Sequence, residues 1–245
     1  MAFVNILAIG AHPDDIELGC GGLMLKTARQ GHSVFMYTVT RGSASGDPQE
    51  RSRELIESAA KIGVKKFWID DFEDTKLAVH SELINRIEDI VGKCEADIIV
   101  SHAGSDIHHD HKAIASAIIE AGRFVPNILS YEIPLTKEFK PQVFCDISDV
   151  IEEKVELIKL FKSQRDKIYL KASAIKGLAE YRALQSRLNG RNNRTNLEDS
   201  SELDAPLYVE AFEVTKMCFD REFKLYEKPR SYLLTDNITL SNVLK

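Results

Sequence analysis

The stretch "ILAIGAHPDDIELGCGG", residues 6 to 22, joins an apolar run to a histidine, two adjacent aspartates and a glycine-rich segment. A short apolar run near the start of a chain reads as a buried strand. Here it ends in side chains that bind metals, so His12, Asp14 and Asp15 are placed at the mouth of that strand.

Outward from this point, similar runs recur. "FVNILAIG" (3–10), "SVFMYTVT" (33–40), "KFWID" (66–70) and "ADIIVSH" (96–102) read as buried parallel strands. Helical patterns lie between and after them, at about 21–30, 48–62, 80–93 and 110–122. The second carries its own punctuation: Asp47 as N-cap, Pro48 in the first turn and Gly63 as the stop. Such alternation implies right-handed strand–helix–strand units and an α/β fold with an open, mostly parallel sheet and helices on both faces. Beyond residue 125 the pattern predicts strands at 128–133, 142–148 and 207–217, with helices over 149–169 and 172–188. The polar segment 189–206 reads as a loop, either a plain connection or a functional lid. One domain is expected over 1–245, with a core of about 3–217 and a C-terminal extension at 218–245. Two smaller domains are the alternative.

Composition narrows the function classes. Lys plus Arg is 32 against 38 for Asp plus Glu, a balance of −6 that argues against non-specific nucleic-acid binding. Four scattered cysteines without a Cys-x-x-Cys pair suit a reducing cytoplasm better than a disulfide framework. With neither a basic leader nor a long apolar window, the expectation is a cytoplasmic protein without stable membrane insertion.

In open α/β sheets, ligands bind beyond the carboxyl ends of the strands. The fourth strand ends in a second polar cluster, "SHAGSDIHHDHKAI" (101–114), which holds four of the seven histidines. If strands one and four are neighbours, His12, Asp14, Asp15, His102, His108, His109, Asp110 and His111 converge on one cavity. Two imidazoles and a carboxylate with an open position suit catalytic zinc or another divalent transition metal, and suit magnesium or calcium poorly. The adjacent aspartates offer one carboxylate for the metal and one for a general base. A dinucleotide site is the competing reading, but Gly10, Gly19, Gly21 and Gly22 miss the G-x-G-x-x-G spacing. Gly19, Gly21 and Gly22 instead predict close packing of the following helix on the sheet.

"AHPDDIELGCGG", "TRG", "RSRELIESAAKIGV", "HHDHKAI", "FKSQ" and "YVEAF" together resemble the PIG-L/LmbE-like family of zinc-dependent N-deacetylases, over roughly residues 3 to 215. The resemblance implies a Rossmann-like fold and removal of an acetyl group from N-acetylglucosamine-type molecules. It implies His12, Asp15 and His111 as metal ligands, Asp14 as general base and His108 as oxyanion support, with Asp110 holding that imidazole. Arg51, beside Glu54, and more loosely Tyr208 are implied as substrate-binding. Two departures stand out: Ser43 occupies a position where the family often has an acid, and His109 replaces a commoner proline. The expected partner is therefore a small amino-sugar substrate, with homo-oligomerisation possible. A related amidase cutting another acyl group, a zinc-retaining binding protein without turnover and a nucleotide-binding redox protein are the alternatives.

Overall fold

The structure is a computed structural model that describes residues 3–186 and 207–219. The expected loop at 189–206 and most of the C-terminal extension lie outside the described residues. The elements are β1 (Asn5–Gly10), α1 (Asp15–Arg29), β2 (Ser33–Thr40), α2 (Pro48–Ile62), β3 (Lys66–Phe72), α3 (Ser81–Cys94), β4 (Ile98–His102), α4 (His109–Ala121) and β5 (Asn127–Tyr131). They continue with β6 (Val143–Asp146), α5 (Ile151–Ile158), α6 (Ala172–Gln185) and β7 (Val209–Lys216).

All six residues of β1 are buried, and their alternation explains why. Ile6 and Ala8 face one core together with Leu25 of α1, Leu55 of α2 and Val155 of α5. Leu7 and Ile9 face the other, packed with Ile87 of α3 and Ile114 of α4. Successive side chains of a strand leave on opposite faces, so a strand covered on both sides reads as unbroken apolar sequence. The sheet is therefore a layer between two helical layers, as the strand–helix rhythm predicts.

Strand order is β3-β2-β1-β4-β5-β7-β6. The first five are parallel, and β7 runs antiparallel to both β5 and β6. The order reverses between β1 and β4, so the crevice for ligands opens at their carboxyl ends. β1 and β4 are direct neighbours, with Leu7 opposite Ile99.

Local chemistry explains most element ends. Asp47 accepts from the amides of Gln49 and Glu50, and Gly63 closes α2 at φ 84°. His80 caps α3 by accepting from the Leu83 amide at 3.2 Å. α1 differs from expectation: it begins at Asp15, so the glycines lie within it, and Cys20 is non-helical at φ −144°. At this kink the Gly22 and Leu23 amides donate to the Glu210 carboxylate of β7, each at 2.7 Å. The Leu18 carbonyl accepts from Lys154 Nζ of α5 at 2.8 Å. Two of those glycines are required by close approach. A Cβ on Gly19 would stand 2.2 Å from the Tyr131 ring, and one on Gly22 would stand 2.7 Å from Ile147.

The helix expected over 149–169 breaks after Ile158 into two single 3-10 turns, Lys162–Gln164 and Ile168–Leu170. Tertiary bonds outweigh helical propensity at this point. The amide and hydroxyl of Ser163 both donate to Glu54 of α2, at 2.8 and 2.6 Å. Gln164 Nε2 donates to the Ser45 carbonyl at 3.0 Å.

Candidate metal centre

The turn after β1 is held from three sides. The Ala11 amide donates to His102 Nε2 of β4 at 3.1 Å, and its carbonyl accepts from the Thr40 amide of β2 at 2.9 Å. The His12 amide donates to Asp15 Oδ2 at 2.8 Å. Within this frame Asp14 takes φ 108°, ψ −24°, a left-handed conformation that costs a non-glycine residue about 1–3 kcal/mol. The two adjacent carboxylates consequently find different partners, Arg51 for Asp14 and a group of imidazoles for Asp15.

The Asp15 group forms a compact triangle. His12 Nδ1 lies 3.3 Å from Asp15 Oδ2, His111 Nε2 lies 3.4 Å from the same oxygen, and the two nitrogens are 3.3 Å apart. All three residues are buried. Tetrahedral zinc, with bonds of roughly 2.0–2.1 Å to nitrogen and oxygen, puts its donors about 3.3–3.4 Å from one another. The donor set and its spacing therefore fit a tetrahedral ion with three protein ligands.

Electrostatics agree. Burial works against charge on His12, yet contacts with Asp110, Asp15 and Asp74 outweigh it and raise its pKa well above the ordinary imidazole value. His111 rises to about 9 against the same opposition, carried by Asp15 and Asp106. For Asp15, too, burial alone would raise the pKa, but His111 and His102 hold it well below the usual carboxylate range. The surrounding carboxylates thus favour positive charge within the triangle.

A second tier of acids orients the imidazoles. His12 Nε2 sits 3.0 Å from Asp74 Oδ1 and 3.1 Å from Asp110 Oδ2, which leaves Nδ1 for a metal. His111 Nδ1 sits 3.2 Å from Asp106 Oδ2, an ion-pair contact not aligned as a hydrogen bond. His102 stacks on His111 with ring centroids 3.9 Å apart, and burial followed by the His111 charge holds its pKa down to about 4. It sits beside the triangle as a neutral ring.

The expected task of Asp110 is corrected by this arrangement. Its carboxylate serves His12 and accepts from the Thr75 and Leu77 amides, at 2.8 and 2.9 Å. Only its backbone amide reaches His108, donating to Nδ1 at 3.3 Å. A ring nitrogen that accepts from an amide carries no proton, so neutral His108 keeps its proton on Nε2. Burial and the His111 and His12 charges keep its pKa below the ordinary value.

Around Asp14, Arg51 is buried to 1% exposure. Its guanidinium donates to the Gly42 carbonyl (2.9 Å), Ser45 Oγ (2.5 Å), the Pro13 carbonyl (2.6 Å) and Asp14 Oδ1 (3.3 Å). Gly42, at φ 68°, has no room for a Cβ, which would meet Arg51 Nη1 at 2.1 Å. Arg51 borders the cleft, but these four protein contacts commit it to the turn. Burial raises Asp14 to about 6, against the pull of Arg51. Glu17 is pushed to about 7 by burial, with Ser58 Oγ donating to it at 2.6 Å.

The cleft over the triangle has a cavity volume of about 180 Å³, with His12, Asp14, Asp15, His108 and His111 in its walls. Tyr208 is not among its lining residues. Its backbone accepts from the Ile147 amide and donates to Ser148 Oγ, and the lining tyrosine is Tyr169. Lys167, Asp74 and Thr75 also border the cleft, unforeseen from sequence. Asp74 follows β3 directly, so the rule about carboxyl ends of strands could have found it. Tyr169 follows no strand, and nothing local marks it.

Comparison with known proteins matches this chain to a family. Residues 7–122 match the model of PIG-L, GlcNAc-PI de-N-acetylase. YaiS of Escherichia coli (strain K12), described as an uncharacterized deacetylase, is 34% identical over 66% of this chain and 90% of its own length. The chain belongs to the PIG-L family. A second relative, diacetylchitobiose deacetylase of Thermococcus kodakarensis, is 29% identical over 65% of this chain and 70% of its own length. The same fold recurs in GalB, the 4-carboxy-2-hydroxymuconate hydratase of Pseudomonas putida KT2440, with a TM-score of 0.72 at 18% identity over 97% of this chain and 100% of that one. The PIG-L fold thus does not determine the reaction by itself. Among the described residues, no helix is long and apolar enough to cross a membrane.

Proposed function

We propose that this protein is a metal-dependent hydrolase that removes the N-acetyl group from an N-acetylglucosamine-type amino sugar or its conjugate. The triangle of His12, Asp15 and His111 beside a separate, buried Asp14 carries the reading. Its membership of a family of N-deacetylases supports the same chemistry.

Zinc held by His12 Nδ1, Asp15 Oδ2 and His111 Nε2 would supply Lewis acidity and a water with pKa near 7. Asp14, raised to about 6, accepts a proton from the attacking water close to neutral pH. Water oxygen bonds to the amide carbon, and the carbonyl oxygen gains the negative charge. The Nε2 proton of His108 is free to donate to that oxyanion, because Nδ1 is occupied by the Asp110 amide. As the carbon–nitrogen bond breaks, Asp14 returns its proton to the nitrogen, so acetate and a free amine leave. Arg51 keeps Asp14 in place and is a positioning residue for the base. Free cysteines at positions 20, 94, 145 and 218 support a reducing compartment such as the cytoplasm.

The decisive experiment measures amine release from a panel of N-acetylated amino sugars, with chelated protein and with zinc restored. Zinc-dependent release supports the reading. Tight zinc binding without turnover on any member would make the protein a binding module instead.

A further inference from the structure

A second chamber adjoins the cleft. The two share Leu18, Ile133, Pro134 and Tyr169, so the apolar wall of the cleft continues into it. It lies between α1, α6 and β7 with a cavity volume of about 230 Å³, and its lining is mostly apolar. Small residues make the room: Ala174, Ala179 and Ala211 stand where larger side chains would fill it, with Ile175 and Leu178 beside them. Its cations already have partners. Lys154 Nζ is 2.6 Å from Glu210 and bonds the Leu18 carbonyl, while Arg182 bonds Glu132.

The cleft itself is asymmetric. Ser45, Asp74, Thr75 and Lys167 border it with groups that can bond sugar hydroxyls, whereas the wall shared with the chamber is Leu18, Ile133, Pro134 and Tyr169. A glucosamine ring has hydroxyls to satisfy, and its acyl tail has none. The shared wall therefore suits the tail, and the polar border suits the ring. An acetyl methyl leaves the chamber empty of substrate.

We propose that the chamber receives the N-acyl chain of the substrate, and that the protein hydrolyses amino sugars bearing a medium-length acyl group such as hexanoyl in preference to N-acetyl ones. This rests on the hydrolase reading above. The reaction is the same amide hydrolysis: water adds to the carbonyl carbon, the carbon–nitrogen bond breaks, and a hexanoate and the free amine depart. Each buried methylene is worth roughly a factor of four in binding, which sets a ceiling for the gain. Ordering the chain subtracts from it.

The test compares kcat/KM of the zinc-loaded protein on N-acetyl-, N-butanoyl- and N-hexanoylglucosamine and on the octyl glycoside of N-acetylglucosamine. Hexanoyl is expected to exceed acetyl by about tenfold or more. Ala174→Phe and Leu178→Trp fill the chamber from α6 positions that are not fully buried, so the fold should tolerate them. Each should abolish the hexanoyl advantage while changing acetyl hydrolysis by less than about twofold, as bulk in the chamber blocks only a chain that enters it. Hexanoyl hydrolysed more slowly than acetyl, or a variant that lowers both alike, would overturn the proposal. An advantage confined to the octyl glycoside would also overturn it and give the chamber to an aglycone. Acetyl hydrolysis without an acyl-length gain removes this inference alone, whereas no amine release from any amide removes the hydrolase reading with it.

Discussion

His12 Nδ1 and His111 Nε2 stand 3.3 Å apart although 99 positions separate them in the chain. One follows β1 and the other lies in the first turn of α4, which follows β4. Their meeting depends on β1 and β4 being neighbours at the point where strand order reverses. Replacing His111 by Gln removes one of the three proposed ligands and should leave the sheet intact. Zinc affinity, measured by competition with a chromophoric chelator, should fall by more than the roughly 10–100-fold typical of losing an outer partner. Unchanged affinity would put the metal elsewhere.

Asp14 is buried and lies next to the triangle without belonging to it. Asp14→Asn should keep zinc content at the wild-type level while kcat falls about 10²–10⁴-fold, the usual contribution of a general base. Metal analysis and turnover on the same sample check this. Loss of zinc in parallel with activity would make Asp14 a ligand.

Arg51 reaches three oxygens of the surrounding turns as well as Asp14, and a lysine cannot span them. Arg51→Lys should lower kcat by about tenfold or more through a misplaced base, with KM within about twofold of wild type. A rise in KM at constant kcat would instead restore the substrate-binding role that its sequence position suggests.

Asp74 and Asp110 share the Nε2 edge of His12. Asp74→Asn keeps the size and loses the charge, so zinc affinity should fall about 10–100-fold. Asp110→Ala should have that effect and also destabilise the fold by about 1–3 kcal/mol, because the Thr75 and Leu77 amides lose their acceptor. Thermal melts of the zinc-free variants separate the two effects.

Lys154 and Glu210 are both buried, and Glu210 also caps the second half of α1. Lys154→Met leaves a buried carboxylate without its counter-charge, which should cost about 3–5 kcal/mol. In a chain of this size that lowers Tm by roughly 10 °C. Glu210→Gln should cost a similar amount, since the Gly22 and Leu23 amides bond separate carboxylate oxygens, of which glutamine keeps one, and Lys154 loses its counter-charge.

Much of the molecule is legible in the amino-acid sequence alone. The alternating runs mark the first four strands, Asp47 and Gly63 mark the ends of α2, and the two polar knots at carboxyl ends of strands mark the centre. These are local signals, because burial on both faces of a sheet and the geometry of helix ends act within a few residues of chain. Tertiary structure decides the rest. It sets β1 beside β4, brings Asp74 from after β3 onto His12, turns the Asp110 carboxylate to His12, and breaks 149–169 through bonds from Ser163 to Glu54. It places Tyr169 rather than Tyr208 in the cleft and commits Arg51 to the turn. Each of those outcomes is a contact between residues far apart in sequence, where hydrogen bonds and ion pairs across the crevice outweigh the preferences of any single segment.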